Sequence, residues 1–163
     1  MNSAPALDLE ARAGGDDHLS LRLWLRMLSC TNLIEASART RLRAEFSTTL
    51  ARFDLMAQLE RAPGGLKMSE LSRRMMVTGG NVTRLTDQLE AEGLVVRGES
   101  ADRRVFRVSL TPRGRRTFAA MARRHEDWIV ETFDALSHEE RTQLFSLLAK
   151  LKNGQSRAAE NRA

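Results

Sequence analysis

Apolar positions along the 163-residue chain change period several times, and each change marks an element. Between Leu19 and Phe53 there is neither glycine nor proline, and Leu23, Met27, Cys30, Ile34 and Ala38 follow steps of three and four. That spacing predicts a long amphipathic helix. Ser47, Thr48 and Thr49 interrupt it, and any of these hydroxyls can cap the next helix, Leu50 to Arg61. In that helix Leu50, Phe53 and Ala57 share one face while Leu55 and Leu59 share another, so it is expected to be central. Pro63-Gly64-Gly65 ends it. A short helix then begins at Ser69 with Leu71 and Met75 as its inward pair, and Met76-Val77 supplies a turn. The next helix is predicted from Thr78, a capping hydroxyl, to Glu92, with Gly93 as its stop. Val82, Leu85 and Leu89 make its inner stripe, and Gly80, Thr83, Arg84 and Asp87 project outward.

Beyond Gly93 the period falls to two. Leu94 to Arg97 and Arg104 to Leu110 read as strands, the second setting Phe106, Val108 and Leu110 against Arg107 and Ser109. The polar loop Gly98 to Arg103 between them is a wing tip. Thr111-Pro112 pairs a cap with a first-turn proline, predicting a helix to about Ala135 that carries Phe118, Met121, His125, Trp128 and Thr132 at helical spacing. Ser137 to Glu140 is a capping box for a last helix with Leu144, Leu147, Leu148 and Leu151 in one stripe and Asn153-Gly154 as its stop.

The resulting fold class is mainly α with a small β-wing: a winged helix-turn-helix flanked by N- and C-terminal helices. The expected organisation is a flexible arm (residues 1–17), an N-terminal helix for dimerisation and effector binding (18–47), the reader (48–111), two C-terminal dimerisation helices (112–153) and a flexible tail (154–163). The terminal helices carry more apolar surface than so small a chain easily buries, so a homodimer is expected.

Charge adds a partner. Of 26 basic residues only Lys67, Lys150 and Lys152 are lysine, and the net charge is +5. Such a balance favours a polyanion, although arginine bias also follows from a GC-rich coding sequence. Cys30 is the single cysteine, which precludes an intramolecular disulfide. No apolar run approaches a membrane span, and the N-terminus lacks a signal-peptide pattern, so a soluble cytoplasmic protein with no membrane partner is expected. His18, His125 and His138 are scattered, and no nucleophile elbow, metal-ligand cluster or glycine-rich phosphate loop occurs, so neither enzyme activity nor a metal or other cofactor is expected.

Reading duplex DNA requires side chains on the exposed N-terminal face of one helix, with donors that hold phosphates in register. Thr78, Gly79, Gly80, Asn81, Thr83 and Arg84 meet that description, and Arg73 adds a cation from the preceding helix. Arg84 can pair in bidentate fashion with guanine, and Asp87 can orient it from three residues away. Two glycines in a first turn are poor helix formers, so either the phosphate backbone approaches closely or the turn is irregular. In the wing, Asp102-Arg103-Arg104 places guanidinium groups at a hairpin end able to enter a minor groove. A solvated hairpin, and a winged helix used only for protein interaction, are the competing readings.

Leu71 to Met75, Val77 to Arg84, Leu89 to Val95, Asp102-Arg103-Arg104 and Leu110-Thr111-Pro112-Arg113-Gly114 resemble successive motifs of the MarR family of bacterial regulators. The resemblance spans roughly Leu19 to Leu151. It implies a winged-helix homodimer on a pseudo-palindromic promoter site, acting most often as a repressor released by a small ligand, with Asp102 and Arg104 as the wing pair. Gly79-Gly80 departs from the commoner polar or proline-containing pattern of that family. Leu21 to Arg43 and Leu50 to Met56 are more loosely similar to the branch governing hydroxycinnamate and related aromatic-acid catabolism. That similarity implies an aromatic acid or its CoA thioester as effector, with Arg39, Arg41 and Arg43 on the acid or phosphates and Trp24, Met27, Phe53, Met56 and Trp128 lining an apolar slot. Peroxide sensing through Cys30 is the alternative; its place on the apolar stripe and the absence of tyrosine argue for an inert thiol.

Overall fold

The computed structural model describes residues 18–75, 78–99 and 106–160. The expected arm 1–17, the turn Met76-Val77, most of the wing tip and the last three residues lie outside them. In chain order the elements are α1 (Leu19–Phe46), α2 (Leu50–Glu60), β1 (Leu66–Lys67), α3 (Met68–Met75), α4 (Gly79–Ala91), β2 (Val95–Glu99), β3 (Phe106–Leu110), α5 (Pro112–Thr132) and α6 (His138–Glu160). The chain divides into two compact units, with the boundary between His125 and Glu126.

In the first unit α1 ends at Ser47, whose left-handed backbone (φ 51°) closes the helix, with Ser47 N–H donating to Arg43 O at 3.1 Å and Thr48 N–H to Leu42 O at 3.4 Å. Of the three hydroxyls after α1 it is Thr49 that caps α2, accepting from Arg52 N–H at 3.3 Å. Phe53, Leu55, Met56 and Leu59 are all buried, so α2 is enclosed on both predicted faces. Around it lie Leu42, Leu71, Val82, Leu85, Leu89, Val108, Leu110 and Met121, which form the core of this unit.

The sheet is antiparallel in the order β1-β3-β2. The third strand is a correction to the predicted two-stranded wing: Leu66 and Lys67 face Val108 and Arg107. Two residues are too few to show a period, and Arg107 completes the join by donating from Nη1 to Gly65 O at 2.9 Å. Val95 faces Leu110 and Glu99 faces Phe106 in the β2–β3 hairpin. Val108 and Leu110 are buried as predicted, but Phe106 is exposed, because it lies at the far end of the hairpin from the core.

The segment Leu110-Thr111-Pro112-Arg113-Gly114 ties this sheet to α5. Thr111 N–H donates to Leu94 O at 3.0 Å, its hydroxyl donates to Gly93 O at 2.7 Å, and Gly114 N–H donates to that hydroxyl oxygen at 2.9 Å. A Cβ at Gly114 would stand 1.9 Å from Leu94 O, so only glycine admits this close approach. Gly93 itself has φ +70°, the left-handed stop expected after the second reader helix.

Two further corrections concern the terminal helices. In α6 the capping box is present, with Ser137 N–H donating to Glu140 Oε2 at 2.8 Å and Glu140 N–H to Ser137 Oγ at 3.2 Å. The helix does not stop at Asn153-Gly154 but continues to Glu160. Gly154 can stay in right-handed helix at a cost of about 1 kcal/mol, and the alanines that follow are the strongest helix formers. In α1, Cys30 is exposed rather than sequestered on an apolar face. Ala38 and Leu42 are the buried residues of that helix, whereas Leu19, Leu23, Trp24 and Leu33 are exposed.

Candidate nucleic-acid interface

The reading helix α4 is anchored by Val82, Leu85, Thr86 and Leu89, all buried. Thr86 satisfies its hydroxyl on Val82 O at 2.8 Å. Gly79, Gly80, Thr83, Arg84, Asp87 and Gln88 are exposed, Asn81 is half-buried, and Arg73 is exposed on α3. The first two turns of α4 therefore carry Gly79, Gly80, Asn81, Thr83 and Arg84, and Arg73 stands on α3.

The first turn differs from expectation in three respects. Thr78 occupies the capping position in extended conformation, yet its side chain makes no capping bond; its carbonyl instead accepts from Asn81 and Val82 N–H at 3.1 and 3.2 Å. Gly79 and Gly80 lie in regular helix, so the turn is not irregular. A Cβ on either would meet nothing within 4 Å. Among the described residues, neither packing nor backbone conformation requires glycine at these two positions.

Arg84 and Asp87 do not pair. Arg84 Nη2 donates to Asn81 Oδ1 at 3.2 Å, which steers the guanidinium toward the start of the helix. Asp87 is instead engaged by Arg97 of β2, which also holds Glu90. These carboxylates, Asp87 foremost, hold the Arg97 guanidinium above its ordinary pKa. At the helix end Arg52 of α2 pairs with Glu92, and Arg113 Nη1 donates to Glu92 O at 3.0 Å. Sequence reading missed all three arginines. Their partners are remote in sequence, and the one available signal was Asp87 and Glu90 at i, i+3 on a single helix face. Asp102, Arg103 and Arg104 lie outside the described residues.

The residues proposed for an effector separate. Arg39 and Arg43, one turn apart on α1, line a cleft of about 300 Å³ with Glu35, Thr48, Thr49, Leu50, Ala51 and Asp54. Arg41, two residues from each, does not line this cleft, because two residues turn a helix by about 200°. Phe53 is core, its ring centroid 5.4 Å from Phe118 and 4.8 Å from His125. Met56 lines a second cleft of about 300 Å³ with Phe46, Arg52, Glu92, Leu94, Arg113 and Met121, among others. Arg52 Nε is buried there without a hydrogen-bond partner. Trp24 is exposed and Met27 half-buried on α1, while Trp128, in the second unit, is buried. Beside the first cleft, burial and the Glu35 charge push the Asp54 carboxyl up, and burial pushes His125 down despite the nearby Asp54. Among the described residues no group of His, Cys, Asp or Glu is placed to hold a metal ion, and no helix is long and apolar enough to cross a membrane.

A short helix pair, an outward-facing second helix and a three-stranded hairpin sheet together define a winged helix-turn-helix protein. Residues 46–104 match the MarR family. The chain is 31% identical over 140 residues to an uncharacterized HTH-type transcriptional regulator from Bacillus cereus, spanning 83% of this chain and 90% of that protein. It is also similar to the crystal structure of a MarR family transcriptional regulator from Silicibacter pomeroyi, with 31% identity, a TM-score of 0.73 and coverage of 88% of this chain and 99% of the other. A Streptomyces coelicolor MarR family regulator solved in complex with DNA shares the fold, at 21% identity and a TM-score of 0.70 over 87% of this chain and 90% of its own. The chain belongs to the MarR family of transcriptional regulators.

Proposed function

We propose that this regulator reads a pseudo-palindromic promoter operator as a homodimer and acts as a repressor released by a small aromatic acid or its CoA thioester. The observation that carries the DNA reading is the first turn of α4: two glycines with open space above them, no side-chain cap, and Arg84 steered by Asn81. Helix N–H groups free of a cap suit a phosphate, and an oriented arginine suits guanine O6 and N7. Wing contacts are assigned to Asp102, Arg103 and Arg104 on sequence grounds.

Dimerisation is supported by exposed Leu19, Leu23, Trp24 and Leu33 on α1 and by exposed Phe145, Leu147 and Leu151 on α6. Two copies related by a two-fold axis would present their reading helices about one DNA turn, ~34 Å, apart. Effector binding is supported by the two clefts, which combine arginines with apolar or polar walls. Each is about 300 Å³, the size of a single-ring acid, so a CoA moiety would have to lie outside along the surface.

The test is titration of the full chain against a duplex enriched from a random library and against a shuffled duplex, at several salt concentrations. Specific affinity should fall steeply with salt as counterions are released, and Arg84→Ala should relax base preference. Equal affinity for both duplexes would leave a protein-interaction module as the reading. Calorimetry in which no hydroxycinnamoyl compound binds, free or CoA-linked, would remove the effector class. A second reading, thiol-based sensing, is favoured by the exposure of Cys30. Operator affinity unchanged after peroxide treatment would dispose of it.

A further inference from the structure

Arg97 lies in the middle of β2, opposite Val108 of β3 and two residues before the end of its strand. Its Nη2 donates to Asp87 and its Nη1 to Glu90, while its backbone N–H donates to Glu90 Oε1 at 3.2 Å. Asp87 and Glu90 stand one turn apart on α4, so a single planar guanidinium spans both. The strand that leads into the wing is thereby fastened to the reading helix by three bonds, and to the rest of the sheet by its register.

The location of Asp87 sharpens the point. Its side chain is 58% exposed, on the same exposed side of α4 as Thr83 and Arg84. A carboxylate on a surface that meets phosphates repels them unless a cation stands beside it. Arg97 is that cation, and with only 28% of its own side chain exposed it is held by the protein rather than offered to solvent.

We infer that Arg97 is a positioning residue for DNA reading: through Asp87 and Glu90 it fixes the angle between the recognition helix and the wing hairpin and masks both carboxylates, without itself contacting DNA. This rests on the DNA-binding reading above. The opposite role, a direct phosphate contact, is separated from it by the carboxylates. Asp87→Asn with Glu90→Gln keeps both shapes, removes two negative charges and releases Arg97. A phosphate-contacting Arg97 would then bind every duplex more tightly. A positioning Arg97 would lose its anchor, so that affinity for shuffled DNA rises while affinity for the enriched duplex does not.

The experiment measures both affinities for wild type, Asp87→Asn/Glu90→Gln, Arg97→Met and Arg97→Lys, with circular dichroism melting of each variant. The ratio of enriched to shuffled affinity should fall roughly tenfold or more in the double variant and in Arg97→Met, about the discrimination carried by one good base contact. Arg97→Lys, which keeps the charge but not the fork, should recover part of that ratio. A double variant that gains affinity equally on both duplexes overturns the inference, as does an Arg97→Met variant that loses equally on both. If the wild-type chain enriches no duplex, the DNA reading itself fails and this inference falls with it; enrichment with an unchanged ratio in all variants removes the inference alone.

Discussion

Replacing Gly80 by alanine separates folding from contact, because the two effects should have opposite signs. Gly80 is in regular helix and a Cβ there would meet nothing within 4 Å, so the substitution brings no internal clash. Alanine in a helix is favoured over glycine by up to about 1 kcal/mol, and in a chain of this size that raises the melting temperature by roughly 2–4 °C. DNA binding should move the other way. If the helix start seats a phosphate on its N–H groups, the new methyl pushes the sugar-phosphate backbone out of hydrogen-bond range. A bond to a charged group is worth about 1.5–3 kcal/mol, so affinity for the enriched duplex should drop about tenfold or more. Circular dichroism melting and fluorescence anisotropy on the same preparation give the two numbers. A variant that is both more stable and equally tight on DNA would refute the argument that these glycines serve close approach.

Gly114→Ala should do the reverse of Gly80→Ala. Its Cβ would sit 1.9 Å from a backbone carbonyl, so the helix start must retreat by more than 1 Å and loosen the Thr111 bond to Gly93. Urea unfolding should show a loss of about 2 kcal/mol or more despite the gain in helix propensity. His125 is held below the ordinary histidine value of 6.5 by burial, so the folded chain takes up fewer protons than the unfolded chain just beneath that pH. Stability should therefore fall on acidification through pH 6.5, and His125→Gln should flatten this slope. The raised Asp54 carboxyl acts in the opposite direction, with the folded chain taking up more protons from 3.8 upward, so the variant is needed to isolate the histidine. Finally, Arg39→Ala and Arg43→Ala should weaken binding of an aromatic acid by calorimetry more than Arg41→Ala does, since only the first two line the α1–α2 cleft. Equal losses from all three would place the acid elsewhere.

Much of this molecule was legible in its residues because the information was local. Helical steps of three and four located the inner stripe Val82, Leu85 and Leu89, and Gly93 marked the helix stop, since each depends on neighbours a few positions away. Ser137 and Glu140 announced their capping box for the same reason. The strand Leu66–Lys67 was not legible, because two residues have no period and their pairing comes from Val108 and Arg107, some forty positions on. The effector residues were the weakest reading. Aromatic, sulfur-containing and basic side chains look alike in sequence whether they line a slot, fill a core or face solvent, and the fold sent Phe53 and Met56 to the core while leaving Trp24 exposed.

By itself, then, the sequence determined a winged helix-turn-helix with Arg84 on the free face of its second helix, because periodicity and turn chemistry are properties of short stretches. Only the tertiary structure decided who holds whom. Asp87 belongs to Arg97 and not to Arg84, Glu92 belongs to Arg52, and Gly114 exists for the carbonyl of Leu94. Those pairings join residues from separate elements, and a charge or a glycine in sequence carries no record of which distant group the packed backbone will bring against it.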